Sequence, residues 1–265
     1  MDTIALFVER DPEEAEAASV YVDGHLDGKP YRFLLDTGAA RSSVVFDEYT
    51  ATLRSAGKNS SSTVFSVSED DLVTVGRLDI GPIVRQDLIL TRQTEGPGRQ
   101  SLIGMDVLRD FCCHFLFDDG QLLVDETCPP DFLRPTHPLL VDAKYHPYIE
   151  VRLGTASASS VWDTGASLTV VNTDFIGRHP DYFAPVGTSK GMDATGQEVE
   201  TPMFVMSSAH IGGYLFPPHR VAAVDLSGVN ATLEMPMDAI LGYSTFGRAD
   251  WLFDFPGKRW MISRW

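Results

Sequence analysis

Phe33-Leu34-Leu35-Asp36-Thr37-Gly38-Ala39 is an apolar run that ends in a short polar turn, and Val161-Trp162-Asp163-Thr164-Gly165-Ala166 repeats it in the second half of the chain. Each Asp is followed at the sixth position by a hydroxyl residue, Ser42 or Thr169, and then by a valine pair, Val44-Val45 or Val170-Val171. A single Asp-Thr-Gly after a strand is most often an ordinary turn. Two copies in two matching halves carry weight that one does not.

The repeat extends well beyond the motif. Tyr21 to Leu35 alternates, turns at Gly28-Lys29-Pro30 and alternates again, the pattern of a hairpin. Tyr148 to Gly154, a small-residue turn and Ser160-Val161-Trp162 match it. Downstream lie Leu102-Ile103-Gly104-Met105-Asp106-Val107-Leu108 and Ile240-Leu241-Gly242-Tyr243-Ser244-Thr245-Phe246, then closing hairpins around Asp119-Gly120 and Pro256-Gly257. The offset is nearly constant, 163 − 36 = 127 for the aspartates and 242 − 104 = 138 for the glycines. Four elements in one order predict a duplicated domain: a first lobe at 1–128, a proline-rich linker at 129–138 and a second lobe at 139–265. Helical periodicity is nearly absent, so the expected class is all-β, two closed or nearly closed sheets side by side.

Each lobe has a candidate middle hairpin. In the first, Thr63-Val64-Phe65-Ser66-Val67 and Leu72-Val73-Thr74-Val75 flank a polar tip at Ser68, Glu69, Asp70 and Asp71. In the second, the tip is expected at Asp193, Ala194, Thr195 and Gly196, with Gly191 and Gly196 permitting a tight turn.

A formal charge of −16 argues against nucleic acid or an anionic membrane as partner, and no apolar stretch is long enough to span a bilayer. The N-terminus has no basic start and no secretory apolar run, which favours a cytoplasmic protein. Cys112, Cys113 and Cys128 cannot all pair internally and show no metal-ligand spacing; a reduced thiol set is expected, with Cys112-Cys113 in the core. His137 and His146, near the linker, read as turn or surface residues, Arg41 as a solvated charge, and Trp251, Trp260 and Trp265 as packing in the last sheet.

Asp-Thr-Gly-Ala after an apolar strand, a middle hairpin, then apolar-apolar-Gly and a short helix together resemble the aspartic peptidases. The wording Leu-Ile-Gly-Met-Asp-Val-Leu, with Ala after Asp-Thr-Gly, is more similar to the retroviral-type lobe found in bacterial proteins than to pepsin. Such lobes usually pair as homodimers; here two are fused, so the resemblance implies a monomer with a built-in pseudo-dimer and an active site between lobes. Asp36 and Asp163 would be the catalytic dyad, since two adjacent carboxylates share one proton and supply a base and an acid together. Thr37 and Thr164 would reach across to the opposite loop, Gly38 and Gly165 would let backbone N–H groups approach, and Gly104 and Gly242 would let the later strand pass close by.

The resemblance implies an endopeptidase that takes an extended peptide beneath the hairpin tips and needs no metal or cofactor. Ala39 and Ala166 stand where pepsins carry a hydroxyl residue, which predicts a less acidic dyad and activity nearer neutral pH. No basic prosegment precedes the first lobe, so a pepsin-like zymogen is not expected. The two termini are expected to share an interlobe sheet. The alternative is a catalytically silent peptide-binding or inhibitor protein on the same fold, against which both intact Asp-Thr-Gly turns speak.

Overall fold

The computed structural model describes residues 1–62, 67–96, 98–128, 136–192 and 198–265. They form a strongly β-dominated molecule with two sheet lobes and a third sheet that joins them.

In the first lobe, strand Ala18–Leu26 buries Ala18, Val20, Val22 and Leu26 on one face, as its alternation requires. It returns as Lys29–Leu35 through a two-residue turn at Asp27 and Gly28, both with positive φ. The turn therefore sits before the expected Gly28-Lys29-Pro30, and Lys29 and Pro30 already belong to the strand. Lys29–Leu35 runs parallel to Leu102–Ile103, with Leu34 opposite Leu102 and Leu35 opposite Ile103. The sheet continues through Ser43–Val44, Ile83–Arg92, Val67–Ile80 and Ser55–Ser62, and Ala18–Leu26 also pairs with Val67–Ile80, folding the sheet back on itself.

The second lobe repeats this plan. Ala156–Trp162 pairs antiparallel with Pro147–Leu153 and parallel with Ala239–Leu241, with Val161 opposite Ile240. Val170–Asn172, His219–Val224, Glu198–Met206 and Phe183–Met192 follow across the sheet. The apolar-apolar-Gly elements each lead into a four-residue helix, Met105–Leu108 and Tyr243–Phe246.

The third sheet has the order Asp2–Ala5, Gln121–Asp125, Cys112–Leu116, Asp250–Asp254, Arg259–Arg264, His137–Pro138. The closing hairpins of the two halves meet at its centre, Cys113 opposite Phe253 and Phe115 opposite Trp251, while both chain ends contribute strands. The chain breaks after Asp2–Ala5 at Leu6, whose N–H donates to Gly120 O (2.8 Å), and Phe7–Arg10 pairs with the first lobe instead. The linker's last residues, His137 and Pro138, pair with Trp260 and Arg259; residues 129–135 lie outside the described residues.

Trp162 is wholly buried at the junction, its ring 4.8 Å from Phe115, 4.5 Å from Phe253 and 5.1 Å from Phe246. Aromatic side chains of both halves thus fill one continuous core. Trp251 and Trp260 are buried as expected, whereas Trp265 is half exposed against Phe216. The acidic segment after Asp11 is neither helical nor loose. Asp11 Oδ1 accepts from the N–H groups of Glu13 and Glu14, and Glu16 crosses to the second lobe, where it meets Arg248 Nη2 (2.6 Å) and Arg220 N (2.9 Å).

Two expectations are corrected. Cys112 and Cys128 form a disulfide with Cα atoms 5.3 Å apart, and only Cys113 is a free, buried thiol. The hairpin Cys112–Leu116 with Gln121–Asp125 brings the two together, which spacing alone does not reveal. In the first-lobe middle hairpin, Ser62 pairs with Val67 and Lys58 with Asp71. Ser68, Glu69, Asp70 and Asp71 are therefore strand residues, and residues 63–66 lie outside the described residues. In the second lobe Met192 pairs with Glu198, so the predicted hairpin is present; Asp193, Ala194, Thr195 and Gly196 lie outside the described residues.

Candidate active site

Each Asp-Thr-Gly turn hangs from two parallel strands. Asp36 N donates to Ile103 O (2.9 Å) and Asp163 N to Leu241 O (3.1 Å), and each turn closes with Ala39 N to Asp36 O or Ala166 N to Asp163 O, both 3.3 Å. The same local bonds appear in both halves because the same residues stand at the same places.

The turns meet face to face. Thr37 N donates to Thr164 Oγ1 and Thr164 N to Thr37 Oγ1, each at 3.1 Å, and Thr37 Oγ1 donates onward to Trp162 O at 2.8 Å. Both threonines are wholly buried. Gly38 N, from the first lobe, donates to Asp163 Oδ1 (3.1 Å), as does Gly165 N (2.8 Å). A methyl group on Gly38 would lie 2.5 Å from the Asp163 carboxyl carbon, and one on Gly165 2.5 Å from that of Asp36. Glycine is required at both positions by this close approach.

The two carboxyls thus sit together at the lobe boundary. Burial, then the charge of Asp163 and a hydrogen bond with it, push the Asp36 carboxyl well above the usual range. Burial also raises Asp163, opposed by the N–H groups of Gly165 and Gly38. Two adjacent carboxyls raised in this way retain a proton between them where an isolated pair would lose both.

Gly104 and Gly242 stand where the later strand passes the turn. A Cβ on Gly104 would lie 2.6 Å from Ala39 O, and one on Gly242 2.5 Å from Leu168 O. Met105 N and Tyr243 N tie these segments to Ala39 O (2.8 Å) and Ala166 O (2.9 Å).

The sixth-position hydroxyls, visible in the repeat without a role, complete the joint. Ser42 Oγ accepts from Gly104 N (2.9 Å) and donates to Asp106 Oδ1 (2.6 Å). Thr169 Oγ1 accepts from Gly242 N (3.0 Å) and bonds to Thr245 Oγ1 (2.6 Å), which lies 2.7 Å from His219 Nε2. Asp106 and His219 were not singled out by sequence; the fixed spacing of Ser42 and Thr169 was the signal available.

Of the hairpin candidates, Asp70 is buried and accepts from Thr94 N (3.1 Å), while Asp71 pairs with Arg92 (2.7 Å) and Lys58 (3.0 Å). These cations hold Asp71 down to about 2. Both aspartates brace the first-lobe hairpin in the sheet. His146, expected at the surface, is buried and bonded to Asp142.

Residues 22–110, which include Asp36 and Gly104, match the family described as "gag-polyprotein putative aspartyl protease", so this part of the chain carries an aspartyl-protease-family domain. No curated protein matches the chain. Among the described residues no helix is long and apolar enough to cross a membrane, and no group of three or more His, Cys, Asp or Glu is gathered for a metal.

Proposed function

We propose that the chain is an aspartic endopeptidase built as two fused retroviral-type lobes, with Asp36 and Asp163 as its catalytic dyad. The observation that carries this reading is the reciprocal pairing of Thr37 and Thr164, which sets the two carboxyls side by side. Water held between them is deprotonated by the ionised carboxylate as its oxygen attacks the peptide carbonyl carbon, while the protonated carboxyl gives its proton to the carbonyl oxygen. Collapse of the tetrahedral diol returns one hydroxyl proton to the dyad as the C–N bond breaks and the amine leaves with the proton first taken from water. The dyad ends with its single proton restored.

The substrate is an extended peptide lying between the lobes, with the two middle hairpins as its covers. The two lobes are not identical. Tyr21 and Tyr148 stand at equivalent positions, but Tyr21 Oη donates to the exposed Gln100 side chain (2.9 Å), whereas Tyr148 Oη donates to Met235 O (2.6 Å) within a buried cluster that includes Val161, Leu226 and Ile240. We infer a selective processing role over general digestion. The Cys112 to Cys128 bridge favours an oxidising compartment over the reduced cytoplasm expected from the cysteine count. With both dyad positions in one chain, the working form is a monomer.

The test is binding of a peptide whose scissile bond is replaced by a hydroxyl-bearing tetrahedral centre, measured by calorimetry. Binding at least about a hundredfold tighter than the parent peptide is expected of a transition-state mimic. Equal binding of the two would favour the silent peptide-binding reading.

A further inference from the structure

Ser42 and Thr169 stand at matched positions, yet the joints they close are built differently. In the first lobe Asp106 Oδ1 accepts from both the N–H (2.9 Å) and the hydroxyl (2.6 Å) of Ser42, and Ser42 Oγ accepts from Gly104 N (2.9 Å). Among the described residues, every partner in that joint belongs to the first lobe. The second lobe has Ser244 where Asp106 stands, two positions after the glycine, and its joint reaches out to the opposite lobe.

Thr169 N donates to Ser244 Oγ (3.0 Å), and the Thr169 hydroxyl turns instead to Thr245 Oγ1 (2.6 Å), which lies 2.7 Å from His219 Nε2. Ser244 O accepts from Arg248 Nε (2.7 Å). Both branches end on one first-lobe carboxylate. Glu16 Oε1 accepts from Arg248 Nη2 (2.6 Å), and Glu16 Oε2 accepts from the N–H of Arg220 (2.9 Å), the residue after His219. The bonds therefore form a closed circuit that begins and ends on Glu16. Thr169, His219, Ser244 and Thr245 are buried within it, so a hydrogen bond lost there is not replaced by water. The Glu16 segment is itself docked: Glu14 pairs with Arg220 Nη2 (3.1 Å), Ala18 N donates to Ser167 O (3.4 Å) in the loop after Asp163, and Arg10 covers the Tyr243 ring.

The geometry points to Glu16 as a positioning residue for the catalytic turn of the opposite lobe, holding Asp163 in register through Arg248 and Arg220. This rests on the dyad reading above. The path from the circuit to Asp163 is short. Thr169 Oγ1 accepts from Gly242 N (3.0 Å), Leu241 O accepts from Asp163 N (3.1 Å), and Tyr243 N donates to Ala166 O (2.9 Å). The segment gripped by the circuit is thus the one from which the turn hangs. A carboxylate that takes a guanidinium and a backbone N–H together makes charge-assisted bonds, and with both branches closed by one group the circuit acts as a unit. The joint behind Asp163 is complete only when the first-lobe segment before Ala18–Leu26 is docked, whereas the joint behind Asp36 is complete within its own lobe.

The test is amide hydrogen exchange in the ligand-free full chain, followed by NMR, with the first lobe as internal control. In Glu16→Ala the N–H groups of Asp163, Thr169 and Gly242 exchange at least about tenfold faster than in the wild type, while those of Asp36, Ser42 and Gly104 keep their rates. Glu16→Gln retains an acceptor for Arg220 N but no charge for Arg248; it lies between the two, and serves if the alanine variant does not fold. Arg248→Ala gives the same pattern, and adding it to Glu16→Ala changes little further, because members of one circuit are not additive. In cleavage assays Glu16→Ala lowers kcat about tenfold and leaves KM unchanged, the mark of lost alignment. Equal acceleration in both lobes is what a merely stabilising ion pair would give. That result, unchanged exchange at the second-lobe amides, additive losses in the double variant, or a kcat that does not fall overturns the assignment. The exchange needs no cleavage, so a protein that exchanges as stated but never cuts peptide contradicts the peptidase reading alone.

Discussion

Thr37 and Thr164 exchange backbone N–H and side-chain oxygen across the lobe boundary at 3.1 Å in both directions, with neither reached by solvent. Removing either hydroxyl strands a buried N–H of the opposite lobe, which costs about 1–3 kcal/mol. Thr164→Val is therefore expected to lower the free energy of unfolding in urea by that amount, and so the midpoint, and Thr164→Ser to recover most of it. Equal midpoints for the two variants would show that the pairing contributes nothing to joining the lobes.

Asp36 makes stability depend on pH in a definite direction. Its carboxyl is raised by folding, so between the ordinary carboxyl range and the native value the folded state binds more protons than the unfolded. Stability then falls as pH rises through that window. Asp36→Asn is free of this loss, and its melting temperature at pH 7 is expected to exceed that of the wild type by on the order of a few degrees. The difference should close below about pH 4, where the unfolded carboxyl is protonated too. Differential scanning at several pH values checks both points.

Gly165→Ala puts a methyl group where the Asp36 carboxyl now lies, 2.5 Å from its carbon. The carboxyl must move by an ångström or so, and cleavage is expected to drop about a hundredfold. Circular dichroism should report unchanged strand content, separating loss of alignment from loss of fold.

The disulfide closes a short loop, with Cys112 and Cys128 separated by 16 positions. Reduction, or Cys128→Ser, is expected to cost about 3 kcal/mol in denaturant melts. A thiol reagent should find no group in the native protein and one, Cys113, after unfolding without reductant.

Much of this architecture was legible because it is written twice. The Asp-Thr-Gly turns, the paired threonines and the glycines beside them recur at matched positions, and local bonding follows local sequence. The shared terminal sheet was also foreseeable, since Asp2–Ala5 and Arg259–Arg264 alternate as strands do. Features found in only one half were harder to read. Ser68 to Asp71 is polar enough to suggest a turn, yet pairing of Lys58 with Asp71 and of Asp71 with Arg92 keeps that segment extended. The disulfide and the Asp142 to His146 bond depend on chain reversals that composition does not encode.

The most direct test of the central claim is cleavage of a diverse peptide mixture from acid to neutral pH by the wild type, Asp36→Asn and Asp163→Asn, read by mass spectrometry. The account predicts cuts by the wild type alone, with both variants folded and silent. Cuts that persist in either variant, or a folded wild type that makes none, would contradict a shared Asp36 and Asp163 dyad.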